Sequence, residues 1–359
     1  MTTQTPDSKP RALIAMSGGV DSSVAAWLMQ QAGYDCTGIT MRLTRNETLG
    51  QSGFHTCCSE KDIEDAAEVA FAMDIPYEVL DFTADFREKI IEKFIRVYEM
   101  GGTPNPCIDC NRYMKFDHLL RWAESHGMEY VVTGHYARVE QDEATGRWLL
   151  KKGLDEGKDQ SYVLYNLTQD QLAHILFPLG RMYKKDTRRI SEEKGLPTYN
   201  KAESQDICFL TSEKSYAEFL QNHAPEAFRP GNITDTKGRI LGRHKGLPFY
   251  TIGQRKGLGI AARTPLYVVS LHAGKNRVIV GSNDDLFRSG LLANELDFTD
   301  GTPPSQQFRC LAKIRYGIRV HDCTVTLDDH GRAVVKFDEP QRAITPGQSV
   351  VFYLSLIHI

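Results

Sequence analysis

The stretch Ala12-Leu13-Ile14-Ala15-Met16-Ser17-Gly18-Gly19-Val20-Asp21-Ser22-Ser23 passes from a short apolar run, through a Gly-Gly turn, into a helical pattern. Ala12 to Met16 reads as a strand and Val24 to Gln31 as a helix closed near Gly33. Two glycines let the backbone turn tightly and aim several N–H groups at one point, where a helix N-terminus adds partial positive charge. The result is a cradle for pyrophosphate. It lacks the Lys of the G-x-x-x-x-G-K-[ST] pattern and so is not a classical P-loop. A helix capped by Ser or Asp after a glycine turn would use the same residues; strand, turn and helix in this order favour nucleotide binding.

Outward from this loop, Cys36 to Met41 reads as the next strand. Residues 62–73 form a helix with Ile63, Ala66, Ala67 and Ala70 at helical spacing, and Pro76 to Asp81 and Tyr130 to Thr133 are further strands. Strands alternating with helices predict an α/β fold with a doubly wound parallel sheet. The character then changes. A hairpin is expected around Ala144, Thr145 and Gly146, and helices near Gln169 to Ile175, Lys184 to Lys194 and Tyr216 to His223. A Gly-rich basic segment fills 230–259. From Leu266 onward short strands with polar turns predict a C-terminal antiparallel β-barrel. The expected organisation is a disordered tail over 1–10, a catalytic domain over 11–211, a small central domain over 212–275 and the barrel over 276–359.

Length alone implies two or three domains: 359 residues exceed one typical core. No apolar run approaches the roughly 18 residues of a membrane span and the N-terminus has no apolar signal core, so a cytoplasmic address without membrane contact is expected. With 41% hydrophobic residues and net charge -3, any nucleic-acid surface must be a local basic patch. Eight cysteines in that compartment do not read as a disulfide scaffold, which leaves some to be reactive or metal-binding.

Two further segments carry cysteines: Thr103-Pro104-Asn105-Pro106-Cys107-Ile108-Asp109-Cys110-Asn111, followed by Lys115 and Phe116, and Glu203-Ser204-Gln205-Asp206-Ile207-Cys208-Phe209. The SGG-x-DS run at Ser17 to Ser22 resembles the PP-loop ATP pyrophosphatases, whose sheet is Rossmann-like. Taken with the cysteine segments, the chain is similar to the tRNA-specific 2-thiouridylase family from about Arg11 to Tyr353. That resemblance implies an enzyme that adenylates the C2 carbonyl of the wobble uridine and transfers sulfur to it, giving 2-thiouridine, AMP and pyrophosphate. It implies ATP held by Ala15, Met16, Ser17, Gly18, Gly19, Val20, Asp21, Ser22, Met41 and Gly134, with Mg2+ and no stable prosthetic group. Cys110 is then the nucleophile and Cys208 the persulfide carrier. A thiolate is a strong nucleophile at neutral pH, and a persulfide delivers sulfur already reduced. Sulfur then reaches C2 either directly from the persulfide or as hydrosulfide freed when Cys110 attacks it. Either path ends with Cys110 and Cys208 as a disulfide, which requires Cα atoms within about 7 Å and a mobile Cys208 segment.

This chain departs from the family at Cys107, where many members carry an Asp thought to assist proton transfer; Asp109 lies two residues on. Two readings of Cys107 stay open, a resolving thiol or a passive neighbour. Cys57, Cys58, Cys107 and Cys110 could also supply four thiolates to zinc or an iron–sulfur cluster, but adjacent cysteines suit one tetrahedral ion poorly and the spacing is not a metal pattern. No metal site is expected.

The resemblance further implies tRNA contacts at Asn105, Pro106, Cys107, His135, Lys158, Asp159, Gln160, Arg315, Tyr316 and Gln348. The partners it implies are tRNAs for Lys, Glu and Gln and a cysteine desulfurase or sulfur-relay protein, with the enzyme a monomer. Two basic clusters suit phosphate tracking with base stacking: Lys184, Lys185, Arg188 and Arg189, and Arg239, Arg243, His244, Lys245, Arg255 and Lys256 with Phe249 and Tyr250. A solvated charged face is the alternative for each. After Tyr353 the family's polar ending is replaced by Leu354 to Ile359. Two other functions fit the loop alone: a PP-loop synthetase acting on a small molecule, and a non-catalytic RNA-binding protein.

Overall fold

A computed structural model describes residues 9–44, 60–203, 207–210 and 215–354. All but the last two residues of the expected tail over 1–10, Cys57 and Cys58, Ser204 to Asp206 and the atypical ending beyond Leu354 lie outside the described residues.

Five parallel strands form the first sheet: β1 (Arg11–Ala15), β2 (Asp35–Arg42), β3 (Tyr77–Asp81), β4 (Tyr130–Val132) and, after the hairpin β5 (Ala137–Gln141) and β6 (Trp148–Lys152), β7 (Ile175–Leu176). Their order is β3-β2-β1-β4-β7, so the winding reverses between β1 and β4. Ligands bind outside the carboxyl ends of such strands at this reversal. On one face lie helix α1 (Val20–Gln31) and helix α2 (Glu60–Ala72), whose Val24, Ala25, Ala66, Val69 and Ala70 are buried against Ile14 and Val132. On the other lie two longer helical runs, over 83–99 and 106–125, which bury Phe86, Ile90, Phe94, Met114 and Leu119 against Leu13, Ile39 and Val131. Helices on both faces make the sheet doubly wound.

The two longer runs each contain a wide turn, Arg87–Ile91 and Cys110–His118, that shifts the phase of the helix. The expected helix to Ile175 ends sooner. Thr168 and Gln171 form a reciprocal cap at the start of Gln169–Ala173, and Ile175 and Leu176 instead pair with Val131 and Val132. The Gly-rich basic segment holds two strands, β8 (Gly231–Asp235) and β9 (Ile240–His244), so the strands begin well before Leu266. With β10 (Tyr267–His272) and β11 (Arg277–Gly281) they make a sheet of order β10-β11-β8-β9. Its core is Ile233, Leu247, Tyr250, Val268, Val278 and Val280.

The last sheet is antiparallel: β12 (Phe287–Ala293), β13 (Gln307–Lys313), β14 (His321–Leu327), β15 (Ala333–Arg342) and β16 (Val351–Tyr353), in the order β12-β15-β14-β13-β16. It curls round its own core of Cys310, Ala312, Cys323, Val325, Val335 and Phe337. Strand β16 serves two cores. It pairs with β13, while Val351 and Tyr353 are buried among Phe116, Tyr162, Leu164 and Leu172 of the first region. The Tyr353 hydroxyl lies 3.1 Å from Ser161 Oγ, and Tyr162 Oη donates to Ser349 O at 2.8 Å.

Candidate active site

The phosphate-type loop lies where β1 and β4 diverge. Gly18 takes φ +65°, and a Cβ there would come within 2.2 Å of Asp62 O on α2, so neither another conformation nor another side chain fits. The helix starts at Val20 rather than Val24, with Gly19 as its N-cap and no side-chain cap. Its first-turn N–H groups are therefore left for an anion. Ser22 Oγ accepts from Ser17 N at 3.2 Å and donates to Gly19 O at 3.0 Å, which closes the loop on itself. Gly134, at the end of β4, lies against the same turn; a Cβ there would press on Asp21 C and Ser22 N at 2.9 Å. Ala15, Met16 and Met41 carry the adjoining strand ends, Met16 and Met41 buried.

Charge is concentrated beside this loop. Lys184 Nζ lies 2.7 Å from both carboxylate oxygens of Asp21 and 3.3 Å from Glu203, with its side chain only 10% exposed. Glu203 also binds Lys158 at 2.6 Å and Arg188 at 3.1 Å. Burial pushes the Glu203 carboxyl up, but these cations outweigh it and hold it at about 2. Tyr136 Oη donates to Asp21 at 2.8 Å and lies 3.0 Å from Thr187 Oγ1, from which it can accept. Lys184 is thus neither a solvated face nor an open phosphate track but is neutralised inside the site; Arg188, 39% exposed, shares its Glu203, and Lys185 and Arg189 are exposed. Sequence reading missed this, because only the fold brings Asp21, Lys184 and Glu203 together.

The first cysteine segment is held from three sides. Asn105 Oδ1 accepts from Cys107 N at 3.1 Å and Pro106 occupies the first helical position, so the turn Pro106–Asp109 is capped in the usual way. Gln348 Nε2 donates to Thr103 O at 2.6 Å. Asp109 binds Lys93 at 2.9 Å; burial lowers the Lys93 proton affinity, but the bond and charge of Asp109 more than restore it. Cys107 is exposed and Cys110 is buried. Cys110 packs in the apolar cluster of Leu13, Met41, Met114 and Phe209, against which Ala15 and the half-buried Cys208 also pack. The fold therefore brings Cys110 and Cys208 to one cluster under the strand ends of β1 and β2. Cys57 and Cys58 lie outside the described residues, and among these no group of three or more His, Cys, Asp or Glu could hold a metal.

The remaining expected contacts surround this segment. Asp159 caps its own turn, accepting from Gly153 N, Ser161 N and Ser161 Oγ, and Gln160 Oε1 accepts from Tyr136 N at 2.9 Å. His135 is buried against Phe116 and Phe177 with Nδ1 2.6 Å from Thr133 Oγ1; burial, with Lys115 nearby, holds it neutral well below the usual histidine range. Arg315 donates to Thr345 Oγ1 at 2.8 Å. Tyr316 is 41% exposed, and burial, then the charges of Asp159 and Cys107, raise its hydroxyl's pKa. A cavity of about 650 Å3 opens between the segment 104–109 and the last sheet, lined by Asn105, Asp109, Arg112 and Gln348. Asn166, also in its wall, is buried with Oδ1 unbonded. None of Cys107, Cys110 and Cys208 lines it. In the second basic cluster His244 and Tyr250 are core residues and Phe249 packs on Phe228, so these aromatics are not free to stack on bases. Arg239, Arg243, Lys245, Arg255 and Lys256 are exposed.

Three family profiles match in succession: a tRNA methyl transferase HUP domain over residues 10–212, a tRNA methyl transferase PRC-barrel domain over 217–282 and an aminomethyltransferase beta-barrel domain over 288–356. The tRNA-specific 2-thiouridylase MnmA 1 of Thermoanaerobacter sp. (strain X514) is 48% identical, over 96% of this chain and 94% of that protein. The tRNA-specific 2-thiouridylase MnmA of Moorella thermoacetica is 50% identical, over 95% of each. Among solved structures, a 4-thiouridine synthetase–RNA complex with bound ATP aligns at 17% identity and TM-score 0.38, over 60% of this chain and 51% of that one, a likeness too loose to bear on activity. Phosphate-type loop, paired cysteine segments and near full-length identity agree, and the chain belongs to the tRNA-specific 2-thiouridylase family of enzymes.

Proposed function

We propose that this enzyme thiolates tRNA by activating the wobble uridine with ATP and delivering sulfur through Cys208 and Cys110. The observation that carries this reading is the gathering of Cys110 and Cys208, from distant segments, on the apolar cluster beneath the strand ends that lead into the phosphate-type loop. ATP phosphates fit the uncapped first turn of α1, whose N–H groups are left for an anion. A divalent ion arriving with the nucleotide would meet the Asp21 carboxylate and would neutralise phosphate charge. The uridine O2 attacks the α-phosphorus and pyrophosphate leaves, turning a poor leaving oxygen into AMP. The terminal sulfur of a Cys208 persulfide then bonds to C2 as AMP departs, and the Cys110 thiolate takes the inner sulfur, leaving a Cys110–Cys208 disulfide. An external dithiol resets the pair and a cysteine desulfurase or sulfur-relay protein reloads Cys208.

Asp109 is tied to Lys93, which suits a charge-holding role better than a free proton shuttle; exposed Cys107, close to Tyr316, is placed to meet an incoming RNA. Pro106, buried beside Cys107, holds the turn rather than the RNA; we assign RNA contact to the surface of Asn105, Cys107, Lys158, Arg315, Tyr316 and Gln348. His135, Asp159 and Gln160 support it from below, and the cytoplasm is the compartment in which such a thiol cycle is reset. The test incubates the protein with ATP, Mg2+, a persulfide donor and unmodified tRNAs for Lys, Glu and Gln, and reads 2-thiouridine by mass spectrometry. Thiolation that vanishes in Cys110→Ser and in Cys208→Ser is expected. Folded protein that binds tRNA yet makes no 2-thiouridine would sink the assignment in favour of a small-molecule adenylating enzyme.

A further inference from the structure

A second cysteine pair lies far from the first, in the core of the last sheet. Cys310 on β13 and Cys323 on β14 are directly opposed in the antiparallel ladder, with Sγ atoms 3.5 Å apart. Both are buried, Cys323 completely. Directly opposed antiparallel residues have Cα atoms about 4.5–5.5 Å apart, inside the range of about 4.4–6.8 Å that disulfides span. Joining the two sulfurs therefore needs only side-chain rotation; the backbone already holds the required geometry. Among the described residues no third ligand-type group joins the pair to make a metal site.

Its position gives the pair a consequence. Strand β13 leaves Cys310, passes through Lys313 and the connection 314–320, and returns as β14 to Cys323. That connection carries Arg315 and Tyr316. Arg315 is anchored to Thr345 Oγ1 and to Ala343 O at 3.3 Å, Tyr316 packs edge-on to Tyr162, and Lys313 lies over both rings. The two thiols thus sit at the neck of the hairpin whose tip faces the cysteine segment.

We propose that Cys310 and Cys323 are an oxidisable pair that hydrogen peroxide converts to a disulfide, stapling the neck of the hairpin that presents Arg315 and Tyr316. Burial selects a small oxidant. Cys323 is the thiol that ionises more readily, through its bond with Cys310 and, against the cost of burial, the nearby Arg309 guanidinium; Cys310 holds its proton correspondingly tightly. The Cys323 thiolate attacks a peroxide oxygen, forming S–O as O–O breaks and hydroxide leaves. Cys310 sulfur then attacks the sulfenic sulfur; S–S forms, S–O breaks, and the departing hydroxide takes the Cys310 proton as water. Two thiols lose two electrons and two protons, and one peroxide becomes two waters. Closing this short loop covalently removes conformational freedom from its open states.

The full-length protein, first reduced, is treated with peroxide, quenched, alkylated in denaturant and digested without reductant for mass spectrometry. A peptide linking Cys310 to Cys323 is expected, absent after dithiothreitol and absent in Cys323→Ala. Amide exchange across 314–320 is expected to slow by about tenfold or more on oxidation. Complete alkylation of both thiols, at a peroxide dose that oxidises exposed Cys107, overturns the inference; a linked peptide with unchanged exchange overturns the staple. The importance of the tip for RNA rests on the function proposed above. Neither readout uses RNA or ATP, so failure of that function and failure of this pair are told apart, and the wild-type linkage stands as a test even if Cys323→Ala does not fold.

Discussion

Cys110 and Cys208 come from separate segments and pack, one buried and one half-buried, on a shared apolar cluster, whereas Cys310 and Cys323 are fixed opposite each other by strand register in a sealed core. The difference lies in what surrounds the sulfur. On the function proposed above, the first pair receives sulfur, hands it to a base and is reset, so it has to be reached by large molecules. A pair set by a ladder is preorganised for one bond and closed to everything but small reagents. The same contrast holds for charge. The ion pairs of the first region surround a nearly buried Lys184, while those of the last sheet, such as Arg309 with Asp338, are about half exposed.

The largest expected effect tests the cysteine contrast directly. Cys110→Ser and Cys208→Ser should each lower 2-thiouridine formation by roughly a thousandfold or more, while Cys323→Ala leaves it within about twofold. An equal loss in all three would erase the distinction. Lys184→Met tests the charge contrast. It leaves Asp21 and Glu203 without their shared cation and should cost about 3 kcal/mol in urea unfolding, against no measurable change for Arg309→Met in the exposed pair. Similar losses would mean that burial is not what separates the two regions.

A finer effect is in pH. The Glu203 carboxyl is held at about 2 when folded against an ordinary 4.5. The folded state therefore binds fewer protons, so the stabilisation is complete above the unfolded value and is lost as pH falls from there toward 2. Urea midpoints measured between pH 6 and pH 3 should fall less steeply in Glu203→Gln than in the wild type; parallel curves would remove Glu203 from the network. The smallest effect is the cavity in Cys323→Ala, about 1–2 kcal/mol, read from the same titrations.

The strand, loop and helix from Arg11 to Gln31 were legible because their signals are local: an apolar run, two glycines, then helical spacing. The cysteine segments were legible as motifs. What stayed hidden depends on partners far away in sequence. The helices over 83–99 and 106–125 went unread although Phe86, Ile90, Phe94 and Tyr98 recur every fourth residue; the wide turns at Arg87–Ile91 and Cys110–His118 stretch that spacing beyond the 3.6-residue period. Ile175 and Leu176 follow a helical pattern but are claimed by β4. Lys184 reads as surface charge until Asp21 and Glu203 face it, and Tyr250 and His244 read as RNA-facing until the sheet around Ile233 closes over them. Inward alternation along both strands was the available signal for Cys310 and Cys323, but their pairing needed the register.

Strand β16 gives the molecule an unusual indivisibility. Because Val351 and Tyr353 fill the core beside Phe116 and Tyr162, residues 10–212 cannot be lifted out as a portable module. Expressed alone, that piece would present a greasy socket to water, and grafting it onto a different RNA-binding partner would require the newcomer to bring its own plug.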